Sequence, residues 1–534
     1  MVVFRSRVAS TLLLLASCLV NVPSAIAYSS RDRPNHRNHW LHPPNPPTVG
    51  RTSLANATFT QYIDHDKPEL GTFEQFYYYS NEHWKGPGSP VVLMTPGEVN
   101  VTGYNSYLTT NRTTGVIAEA IDAAVVIIEH RYWGVSSPYA DLSTENLQYL
   151  TLKNSIADLV HFAKTVKLPF DPHGTSQAHR APWVLVGGSY SGALTAWVAS
   201  TSPGTFWSYL ASSAVVEITG NFWQYFLPVQ EGMPKNCSKD MSLIVDHVDK
   251  IGTDGSDDEK FALKDMFGLG EVEHFEDFAS ALQNGPWLWQ GNQFYKNTGF
   301  FDYCDAVENV GSGTVPGAEG VGLEKALAGY ASFFNDTILP GFCEGYGYFE
   351  GGYNVECFDT FNGSNPMFTD HTLSNVVDRQ WVWLTCNEPF GYWQTGAPKD
   401  RPSIVSRLVD EEYWVRQCGL FFPEENGFTY GLSGGRTYEA VNDFTGGWDA
   451  TKIPRLVYGN GGNDPWREAT VSAELRPGGP FKGTKETPVK VVPGGYHTSD
   501  LVTANGVANA GAQAVIDFEV QQIKEWVKQW PGHY

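Results

Sequence analysis

Three things are scarce in this 534-residue chain: cysteine, positive charge and long apolar runs. There are only seven cysteines, and none of their spacings forms the paired CxxC pattern of a zinc ribbon, so no metal site is expected. Lys and Arg number 36 against 58 Asp and Glu, for a formal charge of -22. Such a surface repels polyphosphate and excludes a nucleic-acid binder. The uninterrupted apolar run TLLLLASCLV, near the start, is 10 residues long, about half of what a membrane-spanning helix needs. What is present is core-forming material. The apolar set is 42% of the composition and the charged set 18%, which excludes a disordered chain. At about 150 residues per domain the length suggests three domains, or one α/β body with a large insertion.

Residues 1–27 carry Arg5 and Arg7 ahead of the apolar run and end in Ala25-Ile26-Ala27, the small-x-small pattern of a signal-peptidase site. The expectation is a secreted, extracellular protein with no membrane attachment after cleavage. Cys18 leaves with the signal. The remaining Cys237, Cys304, Cys343, Cys357, Cys386 and Cys418 form an even set suited to an oxidising compartment, with three disulfides drawn from 15 possible pairings. Cys357 and Cys386 are expected neighbours. Sequons at Asn56, Asn100, Asn111, Asn236, Asn335 and Asn362 agree with the secretory route.

Residues 28–58 are polar and proline-rich with little periodicity, and read as a flexible leader or propeptide. Strands are expected at 90–94, 122–128, 183–186, 453–458 and 489–492, all short apolar runs suited to a buried sheet. Helical periodicity covers 154–167 and the terminal run, where Ile516, Val520, Ile523, Val527 and Trp530 fall on one face. This alternation predicts an α/β sheet covered by helices. Residues 215–430 differ in character, holding all six remaining cysteines and helix-like runs such as LIVDHVDKI and LEKALAGYASFF. They read as a mainly helical, disulfide-stapled cap between two body segments, 59–214 and 431–534.

The chemistry lies in three short stretches. In WVLVGGSYSGALTAWVAS a strand runs through Gly187-Gly188-Ser189-Tyr190-Ser191-Gly192 into a helix. Such a turn needs small neighbours, exposes the central hydroxyl and points backbone N–H groups at a developing oxyanion. Ser189 is the candidate nucleophile, although Ser191 stands where the G-x-S-x-G pattern has its second glycine. In RLVYGNGGNDPWREA a strand ends in a glycine-rich loop carrying Asp464, the candidate acid. In VKVVPGGYHTSDL another strand leads to His497, the candidate base, whose imidazole can take and return the serine proton. Asp500 is close to His497 in sequence, which does not make it the orienting acid. Serine, acid, histidine is the chain order of an α/β-hydrolase, and the 275 residues between Ser189 and Asp464 locate the insertion.

With these residues in view, the chain resembles the S28 family of serine peptidases, which includes lysosomal Pro-Xaa carboxypeptidase and dipeptidyl peptidase II, and most closely its fungal secreted prolyl endopeptidases. The likeness spans roughly 60–530 through FYYYSNEHW, Thr95-Pro96-Gly97-Glu98, Glu129-His130-Arg131-Tyr132-Trp133-Gly134, GGSYSG, WLTCNEPFGYWQTG, GGNDPW and PGGYHTSDL. It implies an α/β-hydrolase fold with a helical cap between nucleophile and acid, the triad Ser189, Asp464 and His497, and no cofactor. It also implies cleavage after proline in peptide or protein substrates, by an endopeptidase. Exopeptidase, esterase and nonenzymatic binding-module readings are the alternatives.

Tyr190 N–H is the expected first oxyanion donor, with a second from the Thr95–Glu98 loop at Gly97. Glu98 is open between steering a substrate amine or water and a structural role. Trp466 is the leading wall of a proline pocket, with Glu388 and Phe390 from the cap as further candidates.

Overall fold

The computed structural model describes residues 55–313 and 315–532. The expected signal, Cys18 and residues 28–54 of the leader lie outside the described residues. The leader reading fails at its last residues: strand β1 (Ala55–Tyr62) begins inside it and pairs antiparallel with β2 (Thr72–Ser80). The sequence ANATFTQY alternates exposed Asn56, Thr58 and Thr60 with half-buried Ala57 and Phe59, the period of a half-covered sheet. Phe59 packs edge-on to Phe162 at 5.0 Å.

β2 joins β4 (Ala124–Ile128) antiparallel, and from there the sheet is parallel through β3 (Val91–Met94), β5 (Trp183–Gly188), β6 (Ser208–Ser212), β9 (Leu456–Gly461) and β10 (Val489–Val492). The order is β1-β2-β4-β3-β5-β6-β9-β10. Every residue of β3, β4 and β5 is buried, as strands covered on both faces require. The strand expected at 453–458 is displaced to 456–461. Pro454 has no N–H to donate and Arg455 sits at φ 59°, so the ladder starts at Leu456.

One face is covered by the helix Leu152–Thr165, capped by the Thr151 side chain, which accepts from Asn154 N–H. The other is covered by Thr113–Ile121 and Ala510–Val527, the latter capped by Asn509. Ile516, Ile523 and Trp526 are buried, each stabilising by about 1.5–3 kcal/mol. Trp530 lies past the helix end. The strands make a mainly parallel sheet with helices on both faces, an α/β-hydrolase body.

Between β6 and β9 stands the insertion, with helices including Lys235–Asp254, Phe300–Val307, Leu323–Phe333, Arg379–Asn387 and Glu411–Phe421. A short parallel pair, β7 (Thr219–Asn221) and β8 (Gly391–Trp393), is set among them. Its three disulfides are Cys237–Cys304, Cys343–Cys357 and Cys386–Cys418. The expected neighbours Cys357 and Cys386 are thus bonded to different partners. The two line one cavity, but Cys386 is bound across two adjacent helices and Cys357 closes a tight 14-residue loop.

Asn56, Asn100, Asn111 and Asn362 are exposed and Asn335 is half-buried. Asn236 is buried beside the Cys237 bridge, so this sequon does not offer a glycan an outward path. No helix among the described residues is long and apolar enough to cross a membrane.

Candidate active site

β5 ends in Gly187-Gly188, and Ser189 follows at φ 62°, ψ −129°, before the helix Tyr190–Thr201. A non-glycine residue in this region is strained, as a turn that thrusts one side chain out of a packed sheet demands. The turn admits little bulk. A Cβ on Gly187 would stand 2.0 Å from Ser191 O and one on Gly192 2.5 Å from Ser212 O. Ser191 fits because its hydroxyl folds back, donating to Gly188 O at 2.7 Å and accepting from Gly188 N–H at 3.0 Å. The departure from G-x-S-x-G thus closes the turn on itself.

The acid and base come from the loops after β9 and β10. Asp464 accepts from His497 Nδ1 at 2.9 and 3.1 Å through its two oxygens, and Oδ1 also accepts from Trp466 N–H at 2.9 Å. Both side chains are buried. With Nδ1–H committed to the carboxylate, His497 Nε2 carries the lone pair, and it has no hydrogen-bond partner. Thr498 N–H donates to Ser213 Oγ at 2.9 Å, and Thr498 Cγ2 is 3.0 Å from where a Gly188 Cβ would lie, which sets the base loop against the nucleophile turn. The Ser189 to His497 hydrogen bond is not formed here, a looseness common before substrate binds. Asp500 is not the orienting acid: it accepts from Ser212 Oγ at 2.6 Å and faces Glu519.

Tyr190 N–H opens its helix, where no intrahelical acceptor exists. Gly97, at φ 80°, packs on the same turn, with a notional Cβ 3.1 Å from Ser191 Cβ and 3.3 Å from Tyr190 Cδ1. Gly97 thus packs on the nucleophile turn, with its own N–H donating to Thr95 Oγ1 at 3.3 Å. Glu98 is fully buried with neither oxygen hydrogen-bonded. Burial, reinforced by Asp378, pushes its carboxyl well above the usual range.

Trp466 is a wall of a cavity of about 180 Å3, together with Trp381, Tyr392, Trp393 and Trp414. Its ring lies 6.3 Å from that of His497. Glu388 and Phe390 do not line this cavity, which corrects their expected role. Glu388 is ion-paired with Arg436 at 2.8 Å, a partner 48 residues away. Phe390 lies under the nucleophile helix between Tyr190 and Trp197, at 5.6 and 5.5 Å.

Sequence reasoning missed two cap glutamines: Gln290 accepts from Trp466 Nε1 at 2.8 Å, and Gln293 donates to His497 O at 3.1 Å. No local pattern marks them. Among the described residues, His274, Asp277 and Asp359 form a group of metal-ligand size, but the Asp277 oxygens already accept from Tyr413 and Thr360, with Arg416 3.8 Å away.

A strained serine at a strand-to-helix turn of a mainly parallel sheet, with an acid and a histidine joined behind it, defines a serine hydrolase of the α/β-hydrolase fold. More narrowly, the chain belongs to the S28 family of serine peptidases: the family model described as "Serine carboxypeptidase S28" matches residues 61–256 and 351–505. Serine protease vicPa of Bipolaris victoriae is 43% identical over 485 residues, covering 89% of this chain and 90% of its own. A probable extracellular serine carboxypeptidase of Arthroderma benhamiae is 29% identical, over 97% of this chain and 74% of its own. Among solved structures, an arylesterase aligns over 92% of this chain and 90% of its own, with 10% identity and a TM-score of 0.34.

Proposed function

We propose that the protein is a secreted endopeptidase that cleaves on the C-terminal side of proline. His497 Nε2 takes the Ser189 Oγ proton as the hydroxyl attacks the scissile carbonyl, then returns it to the leaving amine. Water, activated by the same nitrogen, releases the acyl group from Ser189. The observation that carries the specificity is the aromatic cavity walled by Trp466, whose ring lies 6.3 Å from that of His497. Flat rings pack a pyrrolidine well and ask nothing of the N–H that proline lacks.

Two features favour an endopeptidase over a terminus reader. The cavity lining holds no Lys, Arg or His to bind a C-terminal carboxylate. Glu98 is fully buried and is not among the residues lining the cavity, so it offers no carboxylate there to a substrate amine. A Pro-Xaa carboxypeptidase is the second reading, favoured by the name of the Arthroderma benhamiae relative. The even cysteine set and the exposed sequons support passage through the secretory route.

The test is a peptide series blocked at both ends, containing X-Pro-X, X-Ala-X and ester analogues, with free-ended counterparts. Cleavage of the blocked Pro peptides is expected. Cleavage only with a free terminus overturns the endopeptidase reading, and equal cleavage of the Ala series overturns the proline preference. A serine-reactive phosphonate should label the wild type and not Ser189→Ala.

A further inference from the structure

The motif Glu129-His130-Arg131-Tyr132-Trp133-Gly134 follows β4 and is unused by the triad. Its first three side chains are all buried and all anchored. Arg131 is held by both oxygens of Asp158, at 2.7 and 2.6 Å, and donates to the carbonyls of Tyr62, Ile63 and Tyr149. Glu129 accepts from Val101 N–H at 3.2 Å with one oxygen, and from Val135 N–H, Ser136 N–H and Ser136 Oγ with the other. Val101 lies three residues beyond Glu98, so Glu129 ties the Thr95–Glu98 loop to this motif.

His130 reaches the other side of the site. Its Nδ1 is 2.9 Å from Arg131 O and its Nε2 is 3.1 Å from the Tyr190 hydroxyl. A carbonyl can only accept, so Nδ1 carries the proton and Nε2 presents a lone pair, and the Tyr190 hydroxyl must donate to it. Tyr190 is the residue whose backbone N–H follows the nucleophile. Its ring is wedged among Trp381, Phe390 and Trp197, at 5.5, 5.6 and 6.2 Å, and against Gly97. The residues of the two expected oxyanion donors thus meet at one aromatic ring, whose hydroxyl is bonded by His130 and also by Ser155.

We propose that the Glu129-His130-Arg131 segment is the positioning element of the oxyanion hole, with His130 setting the Tyr190 ring and through it the Tyr190 N–H and the Gly97 seat. This rests on Ser189 being the nucleophile. His130 is a positioning residue and touches neither substrate nor the reacting atoms. Oxyanion donors act by being already in place when charge develops, so losing the pin loosens transition-state binding and leaves substrate binding intact.

The test uses the full-length enzyme with a doubly blocked Pro peptide and a peptide boronate that forms a tetrahedral adduct on the serine. His130→Phe, which fills the space but cannot accept, should lower kcat by about 10- to 100-fold. KM should stay within about twofold, and boronate affinity should fall in parallel with kcat. His130→Gln, which restores an acceptor, should recover part of the loss. Tyr190→Phe should show the same kcat-selective defect, and His130→Phe combined with Tyr190→Phe should be no worse than His130→Phe alone.

A kcat within threefold of wild type in His130→Phe overturns the proposal, as does a loss that raises KM equally or additive losses in the double variant. Should His130→Phe fail to fold, Tyr190→Phe decides, and an unchanged kcat there overturns the proposal. Persistent phosphonate labelling of Ser189→Ala would instead refute the nucleophile assignment, so the two failures are distinguishable.

Discussion

Removing the buried carboxyl pair Asp500 and Glu519 should flatten the pH dependence of stability. Both side chains are fully buried against β9, where a Cβ on Gly459 would come within 2.3 Å of Asp500 Oδ2 and 2.4 Å of Glu519 Oε1. Burial raises both carboxyls above their ordinary values of 3.8 and 4.5; contact with Asp500 raises Glu519 further, while hydrogen bonds from Ser212 and Glu519 offset part of the rise at Asp500. The folded protein therefore keeps protons that the unfolded chain has released. The stability this gives is complete below about pH 3.8 and is lost as pH rises. For each retained proton the loss is about 1.4 kcal/mol per pH unit, so two units are worth about 3 kcal/mol. The double variant Asp500→Asn, Glu519→Gln keeps the shapes and the Ser212 contact but cannot titrate. Guanidinium unfolding followed by tryptophan fluorescence at pH 4, 5, 6 and 7 gives the difference between wild type and variant, in which all other titrations cancel. The variant should gain on the wild type steadily with pH. Parallel stability curves would refute the reasoning.

Three further outcomes follow from the site and the cap. Asp464→Asn, which presents a donor to His497 Nδ1 and favours the wrong tautomer, should lower kcat by about 10⁴-fold with substrate binding retained, read by steady-state kinetics. Trp466→Ala should cost roughly 2 kcal/mol of binding to proline substrates, about 30-fold in kcat/KM, and much less toward an ester without proline. Replacing Cys237 and Cys304 by serine opens a loop of 67 residues; the chain-entropy cost is about 4 kcal/mol, visible as a lower melting temperature.

The parts of the molecule legible in the sequence were those where one physical demand acts on neighbouring residues. β3, β4 and β5 read as strands because a doubly covered sheet makes an apolar run, and β10, an edge strand with Val491 exposed, read from its β-branched valines. The Ser189 turn read as an elbow because its glycines are steric necessities. β2 went unnoticed since TFEQFYYYS mixes polar and aromatic residues, and β6 since its sequence SYLAS carries serines. Ser212 is tolerated there only because Asp500, 288 residues later, accepts its hydroxyl. Glu388 failed as a substrate contact for the same reason: its charge is answered by Arg436, which nothing near it announces. The disulfide partner of Cys386 was equally a matter of which helices lie side by side.

Long-range partners also decide what the insertion is for. Were the cap a cover only, the triad would be held by the body alone. Instead Trp289 Nε1 donates to Asn463 O at 2.8 Å, immediately before the acid, and Gln293 donates to the carbonyl of His497. Gln290 fixes Trp466 while also accepting from Tyr225 OH at 2.7 Å. The acid loop and the base loop are each tied to the helix and turn over residues 284–293. Trp289 and Gln293 thus hold both partners of the nucleophile from the cap side, a few residues from the cavity wall. The cavity wall and the catalytic geometry share one support, so a cap exchanged for another that fills the same space would not keep the rate unless it returned a donor to Asn463 O and to His497 O.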